Sequence, residues 1–272
     1  MSTHDVGTRI EAALDALAAT WASDDEPWEP ARSLQMALAP LRALSDQEIA
    51  TFVMPLATDA RPVARGLVPA VLRYLRAKEE PASWPERAPR YAERILALAA
   101  SEPHDDVLAE QLAAFVDLGD PRGVQLARRL ASHEDASMRR VVASVLTSLA
   151  PDVEVDPLLI ALSCDPDDDV RSWATFGLRF AEPSEAVRDA LFARRDDPHE
   201  ETRGEALVGL AVHRDPRVVS HVLVALHARP PTWLALEAAE EWPHADYARA
   251  LSREDLPWDA ERVARVRAAC VA

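Results

Sequence analysis

Apolar and small residues recur at helical spacing along most of the chain, and in its middle the pattern repeats. Three segments align without gaps: His133-Glu134-Asp135-Ala136-Ser137-Met138-Arg139, Asp165-Pro166-Asp167-Asp168-Asp169-Val170-Arg171 and Asp197-Pro198-His199-Glu200-Glu201-Thr202-Arg203. Their arginines fall 32 residues apart, twice. The third residue after each arginine is Val142, Ala174 or Ala206, the fourth Ala143, Thr175 or Leu207, and the seventh Leu146, Leu178 or Leu210. These offsets share one face of an α-helix, so each segment predicts a helix with a buried stripe. A second series, Asp120-Pro121, Asp156-Pro157, Glu182-Pro183 and Asp215-Pro216, opens a further apolar-periodic stretch each time. An acidic side chain accepts the free amides of a first helical turn, and proline fits there. Each unit therefore reads as helix A, turn, helix B, turn.

The first hundred residues carry a blurred form of the same pattern. Asp59–Leu75 and Glu86–Ala100 read as helices, and His104–Leu118 as helix A of a divergent unit. Residues 30–58 read as two short helices divided at Pro40 or Ser45. One helical hairpin cannot bury its stripe, whereas stacked copies share a continuous core. The expected fold is all-α, an α-solenoid (superhelix) of antiparallel helix pairs with Leu146, Leu178 and Leu210 in equivalent layers. It divides into divergent N-terminal repeats or a cap (1–103), clear repeats (104–228) and a C-terminal helical cap (229–272). Trp233, Trp242 and Trp258 follow the last clear repeat and are expected to close its core, while Trp173 is expected to fill a repeat interface.

The acidic turn followed by Val-Arg, then Ala and Leu at fixed offsets, resembles the short bacterial HEAT-like repeat of the phycobilin-lyase type. Asp165–Arg171 is its best copy, Thr202-Arg203-Gly204-Glu205-Ala206-Leu207 the next, and Met138-Arg139 with Ala143 a looser third. The signatures of tetratricopeptide and ankyrin repeats are absent. The resemblance spans residues 104–228 and implies a solenoid that binds something, without implying one activity. Its wider family includes bilin-lyase-type subunits, adaptors and, more distantly, alkylbase DNA glycosylases. It also implies a ladder of acid–arginine pairs between neighbouring repeats, here Arg139, Asp165, Arg171, Asp197 and Arg203. His133 stands where the first copy needs its acid.

Charge narrows the partners. Thirty Lys and Arg against 46 Asp and Glu give a formal net charge of −16, the wrong sign for a phosphate-binding surface. Nucleic acid and anionic membrane are accordingly disfavoured. No stretch free of charge exceeds roughly a dozen residues, too short to span a bilayer. Met1–Trp21 lacks the basic start and apolar run of a secretory signal, so the expected location is cytoplasmic. Seven Gly with 21 Pro suits short helices punctuated by proline better than glycine-rich phosphate turns or hairpins.

Few residues point to chemistry. Asp165, Asp167 and Asp169 alternate as in a calcium loop, but Val170 and Phe176 occupy the positions that need Gly and Glu. They read instead as acids at a helix start, favoured by its dipole. His199-Glu200 begins like a zinc-protease motif, yet Arg203 replaces the second His. Cys164 and Cys270 are isolated from each other. No catalytic set, metal or cofactor is expected, and no enzyme activity.

The B helices carry the remaining signal. Between Pro121 and Ala131 the only charges are Arg122, Arg128 and Arg129; Arg188, Arg194, Arg195, Arg217 and Arg229 follow in later B helices. The resemblance implies that B helices line the concave side. The expected function is a non-catalytic adaptor or regulator whose concave face binds an acidic or mixed protein segment through Arg122, Arg129, Arg188, Arg195 and Arg217. Arg128, Arg129, Arg194 and Arg195 also suit a dipole-complementing role near helix C-termini. One alternative is an acidic, immunity-type inhibitor of a basic partner such as a toxic nuclease, acting through Asp167, Asp168, Glu200 and Glu201. Another is a HEAT-like alkylbase DNA glycosylase, which the net charge disfavours.

Overall fold

A computed structural model of the chain describes residues 3–22, 36, 38, 39, 41, 44, 45, 48–76, 84–150 and 154–271, and among these every regular element is helical. The chain forms two compact units, Met1–His133 and Glu134–Ala272.

The first unit contains α1 (Thr3–Trp21), α2 (Pro62–Arg76), α3 (Trp84–Ala99), α4 (Asp105–Leu118) and α5 (Gly123–Leu130). A π-helical turn (Ile49–Val53) and a 3-10 turn (Met54–Thr58) precede α2. Twelve of the 29 residues expected to form two short helices (30–58), including Pro40, lie outside the described residues. Helix α2 starts later than its apolar pattern predicts because the Asp59 carboxylate accepts the Arg61 amide at 2.8 Å and holds the turn open ahead of it. It packs against α1 and α4, and α3 packs against α4 and α5. Gly66 permits the α1 contact, since a Cβ there would collide with the Trp21 ring, which stacks on His104. Gly119 ends α4 in the left-handed region at φ 61°, where glycine has no Cβ penalty.

The second unit runs α6 (Ala136–Leu149), α7 (Asp156–Leu162), α8 (Asp168–Gly177), α9 (Glu185–Arg194), α10 (Glu200–Val212) and α11 (Val219–His227). It closes with α12 (Trp233–Glu241), α13 (Tyr247–Ala250) and α14 (Ala260–Ala269). The A helices α6, α8, α10 and α12 pack on one another in sequence order, and the B helix α7 meets α9 while α11 meets α13. Side chains cap their starts: Asp135 accepts from the Ser137 amide, Asp167 from Asp169 and Val170, and Ser184 from Val187. Asp167 thus serves the helix start, as its spacing predicts.

The stripe predicted from the arginine offsets is the core. Val142, Ala143, Leu146, Ala174, Thr175, Leu178, Ala206 and Leu210 are all fully buried. One detail differs, because α8 tightens into a 3-10 turn over Leu178–Phe180. Gly177 sits there against Leu159 and Thr147, leaving no room for a side chain. The C-terminal core also differs from expectation. Trp233 is 54% exposed and Trp242 and Trp258 are only part-buried, while Leu234, Leu236, Tyr247, Leu251, Val263 and Val266 fill the interior. Trp233 opens α12 one residue ahead of Leu234, which takes the place against Gly204 on α10 and turns the indole outward. Among the described residues no helix is long and apolar enough to cross a membrane.

Candidate functional site

Two of the three turn arginines of the second unit, Arg139 and Arg171, face two ways. Arg139 donates from Nε and Nη2 to Asp165 at 2.7 and 2.9 Å, and Arg171 does the same to Asp197 at 3.0 and 3.0 Å. The Nη1 atoms turn back to carbonyls of their own turn: Glu134 for Arg139, Asp165 and Pro166 for Arg171, Asp197 and Pro198 for Arg203. A planar fork is what allows one side chain to tie its own turn to the next repeat. The carboxylates also organise their turns, Asp165 accepting the Asp167 amide and Asp197 that of His199. Burial pushes the Asp197 carboxyl up, but the Arg171 guanidinium and the His199 amide outweigh it and hold it below its usual range. His133 takes no part in this ladder and lies 3.4 Å from Asp105 instead.

A second set of buried pairs lies outside the repeat motif. Arg179, eight residues after Arg171, donates to Glu205 at 3.0 Å and also binds Glu237. Arg73, eight residues after Arg65, bonds Glu110 and Asp117, both at 3.0 Å. The signal in the sequence is this shared offset, hidden because a mid-helix glutamate reads as a solvent position. Beside Arg179, Trp173, Phe176 and Phe180 meet edge to face, with the guanidinium 5.2 Å from the Phe176 ring centre.

Burial raises the Glu205 carboxyl to about 7, against the pull of Arg179. Between its unfolded value near 4.5 and about 7, the folded chain holds a proton that the unfolded chain releases. Stability therefore falls as pH rises through that window, by roughly 3 kcal/mol from this group. Thermal melts of the wild type are expected to weaken from pH 5 to pH 8, and Glu205→Gln to flatten that slope. An unaltered slope in the variant would contradict the assignment.

The five B-helix arginines fall into two sets. Arg122 forks onto Asp120 at 2.9 and 2.7 Å and reaches the Pro89 carbonyl, while Arg129 donates to the Ala99 carbonyl at the end of α3. Both belong to the first unit. In the second unit Arg195 and Arg217 converge on Phe192, their guanidinium carbons 4.0 and 4.4 Å from its ring centre, with His221 edge-on to the same ring. Arg217 also bonds Asp215 and, at 2.8 Å, Asp189. Arg188 joins Arg217 in lining a cleft of about 460 Å³ with Asp189, His213, Arg214 and Asp215. Arg214 is held at φ 53° and lies over the Trp242 ring. The cleft thus offers both signs of charge beside an aromatic surface. Among the described residues no cluster of three or more His, Cys, Asp or Glu is arranged to hold a metal ion.

Comparison with known proteins agrees with this architecture. Residues 92–179 match the family model for HEAT repeats. Protein YibA from Escherichia coli K12 and its counterpart from Escherichia coli O157:H7 are each 35% identical over 101 residues. That match takes in 37% of this chain and only 36% of the length of each relative. The X-ray structure of Escherichia coli YibA superposes with a TM-score of 0.67 at 18% identity, covering 100% of this chain and 98% of that one, and so shows a shared fold. With its 32-residue helix pairs, its stacked A helices and its arginine ladder, the chain has an all-α solenoid fold and carries HEAT-like repeats.

Proposed function

We propose that the chain is a non-catalytic repeat scaffold that docks a charged segment of another protein on the B-helix side of its second unit. One observation carries this reading: Arg217 joins Arg195 over the Phe192 ring and joins Arg188 in a cleft of mixed charge. Aromatic and arginine side chains dominate protein interfaces because they give large contact area together with directed hydrogen bonds. Asp189 and Asp215 hold the Arg217 guanidinium in place over Phe192, while Arg195 bonds the Phe192 carbonyl and Asp196. Repeat stacks suit such docking, since neighbouring units present a continuous surface.

The test is the triple variant Arg188→Glu, Arg195→Glu, Arg217→Glu, measured by calorimetry against a partner first isolated with the wild-type chain. Affinity is expected to fall at least about tenfold, some 1.4 kcal/mol. The pair Arg122→Glu, Arg129→Glu serves as the comparison in the first unit. Undiminished affinity of the triple variant would remove the second-unit cleft from consideration.

The net charge of −16 favours a second reading, an inhibitor that captures a basic partner through exposed acids at the A-helix starts. Asp168, Glu200 and Glu201 are exposed there. Long-range attraction of this kind acts on the association rate and is screened by salt. A rate that falls steeply between low and physiological salt supports this reading, and a salt-independent rate opposes it.

A further inference from the structure

Four turn arginines share one geometry on their Nη1 side. Arg65 donates to Asp59 and Ala60 carbonyls at 2.9 and 3.1 Å, Arg171 to Asp165 and Pro166 at 2.9 and 3.1 Å, and Arg203 to Asp197 and Pro198 at 2.7 and 2.8 Å. Arg139 makes one such bond, to Glu134. On the other edge three of the four hold a carboxylate with both Nε and Nη2: Arg65 holds Glu102, Arg139 holds Asp165 and Arg171 holds Asp197. Arg203 is the exception, since no carboxylate of the described residues pairs with it.

The reason lies in the turn ahead of α12. Arg139 and Arg171 each reach a carboxylate 26 residues onward, and the residue 26 after Arg203 is Arg229. In the earlier turns that carboxylate also accepts the amide two residues on, from Asp167 and from His199. Here the residue two on is Pro231, which has no N–H to donate. Acceptor and donor have been lost together, so the turn is self-consistent without an acid and the fork of Arg203 stands open.

We infer that the Nε–Nη2 edge of Arg203 is a binding site for a carboxylate side chain presented by an acidic segment of another polypeptide. The guanidinium is already fixed by two carbonyls, so a ligand bears little of the ordering cost. Its open edge has the geometry that accepts a carboxylate bidentately in the three filled rungs. Two neighbouring features select a peptide over a small anion. Arg229, at the register of the missing acid, keeps 79% of its side chain exposed although Asp255 lies 3.8 Å away, and adds a second cation; Trp233 presents an exposed indole next to Leu234, which contacts Gly204 beside Arg203. This site belongs to the A-helix turns and is independent of the cleft around Phe192.

The experiment follows the Arg Nε–H signals by NMR while the full chain is titrated with the capped hexapeptide Asp-Pro-Asp-Asp-Asp-Val, a copy of residues 165–170. The Arg203 signal is expected to move saturably, with a dissociation constant on the order of millimolar as suits one charged pair beside an aromatic contact. The Arg171 signal, whose fork is filled, is expected to stay in place. Replacing the first Asp of the peptide by Asn is expected to weaken binding at least fivefold, and Arg203→Gln to abolish it; Arg203→Lys, which keeps the charge, shows whether the fork itself is needed by binding at least fivefold more weakly. An Arg203 signal that never saturates, that responds equally to the Asn peptide, or that prefers inorganic phosphate overturns the inference. The Arg188, Arg195, Arg217 triple variant is expected to bind the hexapeptide as the wild type does, so failure of either site is read separately.

Discussion

Replacing Arg171 by Met is expected to cost about 4 kcal/mol of unfolding free energy in a urea titration, because a buried carboxylate is left without its cation. The Asp197 side chain is 2% exposed and takes both fork bonds from Arg171, with only Arg194 at 3.3 Å and the His199 amide as further partners. The same change frees the Asp165 and Pro166 carbonyls, so two turns loosen at once. Adding Asp197→Asn to Arg171→Met is expected to recover about half of the loss, since the amide oxygen still accepts from His199 while the charge is gone. The pH dependence has a definite sign. In the wild type the depressed Asp197 value contributes stability at neutral pH that disappears as pH falls through the folded value. In Arg171→Met the unpaired acid gains by protonation, so the deficit is expected to shrink toward pH 4. A single-variant loss below about 1 kcal/mol would show the rung to be an exposed-type pair of little weight.

Leu178→Ala is expected to be as costly, about 4 kcal/mol, by a different route. Leu178 is fully buried in the layer it shares with Leu146 and Leu210. Removing its branched end leaves a cavity lined by neighbours that are themselves anchored in adjacent repeats, which limits collapse. The backbone there is also pinned, because the Leu178 carbonyl pairs with His213 Nε2 at 2.8 Å. Phe180→Ala, two residues on at a side chain 47% exposed, is the control and is expected to cost less than about 1 kcal/mol. Equal losses at the two positions in denaturant titrations would mean that the layer is not the core that its register implies.

The period of the chain is readable because three levels of physics coincide in it. The same offsets that place Val142, Ala174 and Ala206 inward also place an acid at each helix start and an arginine at each turn. The direction of each fork is less legible: a pair 26 residues apart leaves no local pattern, and six residues separate the acid from the arginine of its own turn. Trp233 departs from expectation because size and apolarity suggest a core role, whereas its place at the first residue of α12 gives the interior to Leu234. Glu205 and Glu110 escape notice for the opposite reason, as charged residues on a helix read as solvated until a packed arginine is seen beside them. The B-helix arginines stand out by charge alone, and only the fold separates those tied to α3 from those that meet at Phe192.

The two-way tether of Arg139 and Arg171 makes chain length an adjustable quantity. The repeat of Asp165 and Arg171 brings one carboxylate for the guanidinium before it and one guanidinium for the carboxylate after it. Excising residues 165–196, one period, would set Asp197 in the position Asp165 now holds opposite Arg139, and duplicating them would insert a complete new rung. Both operations keep the ladder paired, but the buried Arg179–Glu205 contact does not follow the period, so proteins built on this plan grow or shrink by whole turns of the stack only where such mid-helix pairs are re-matched.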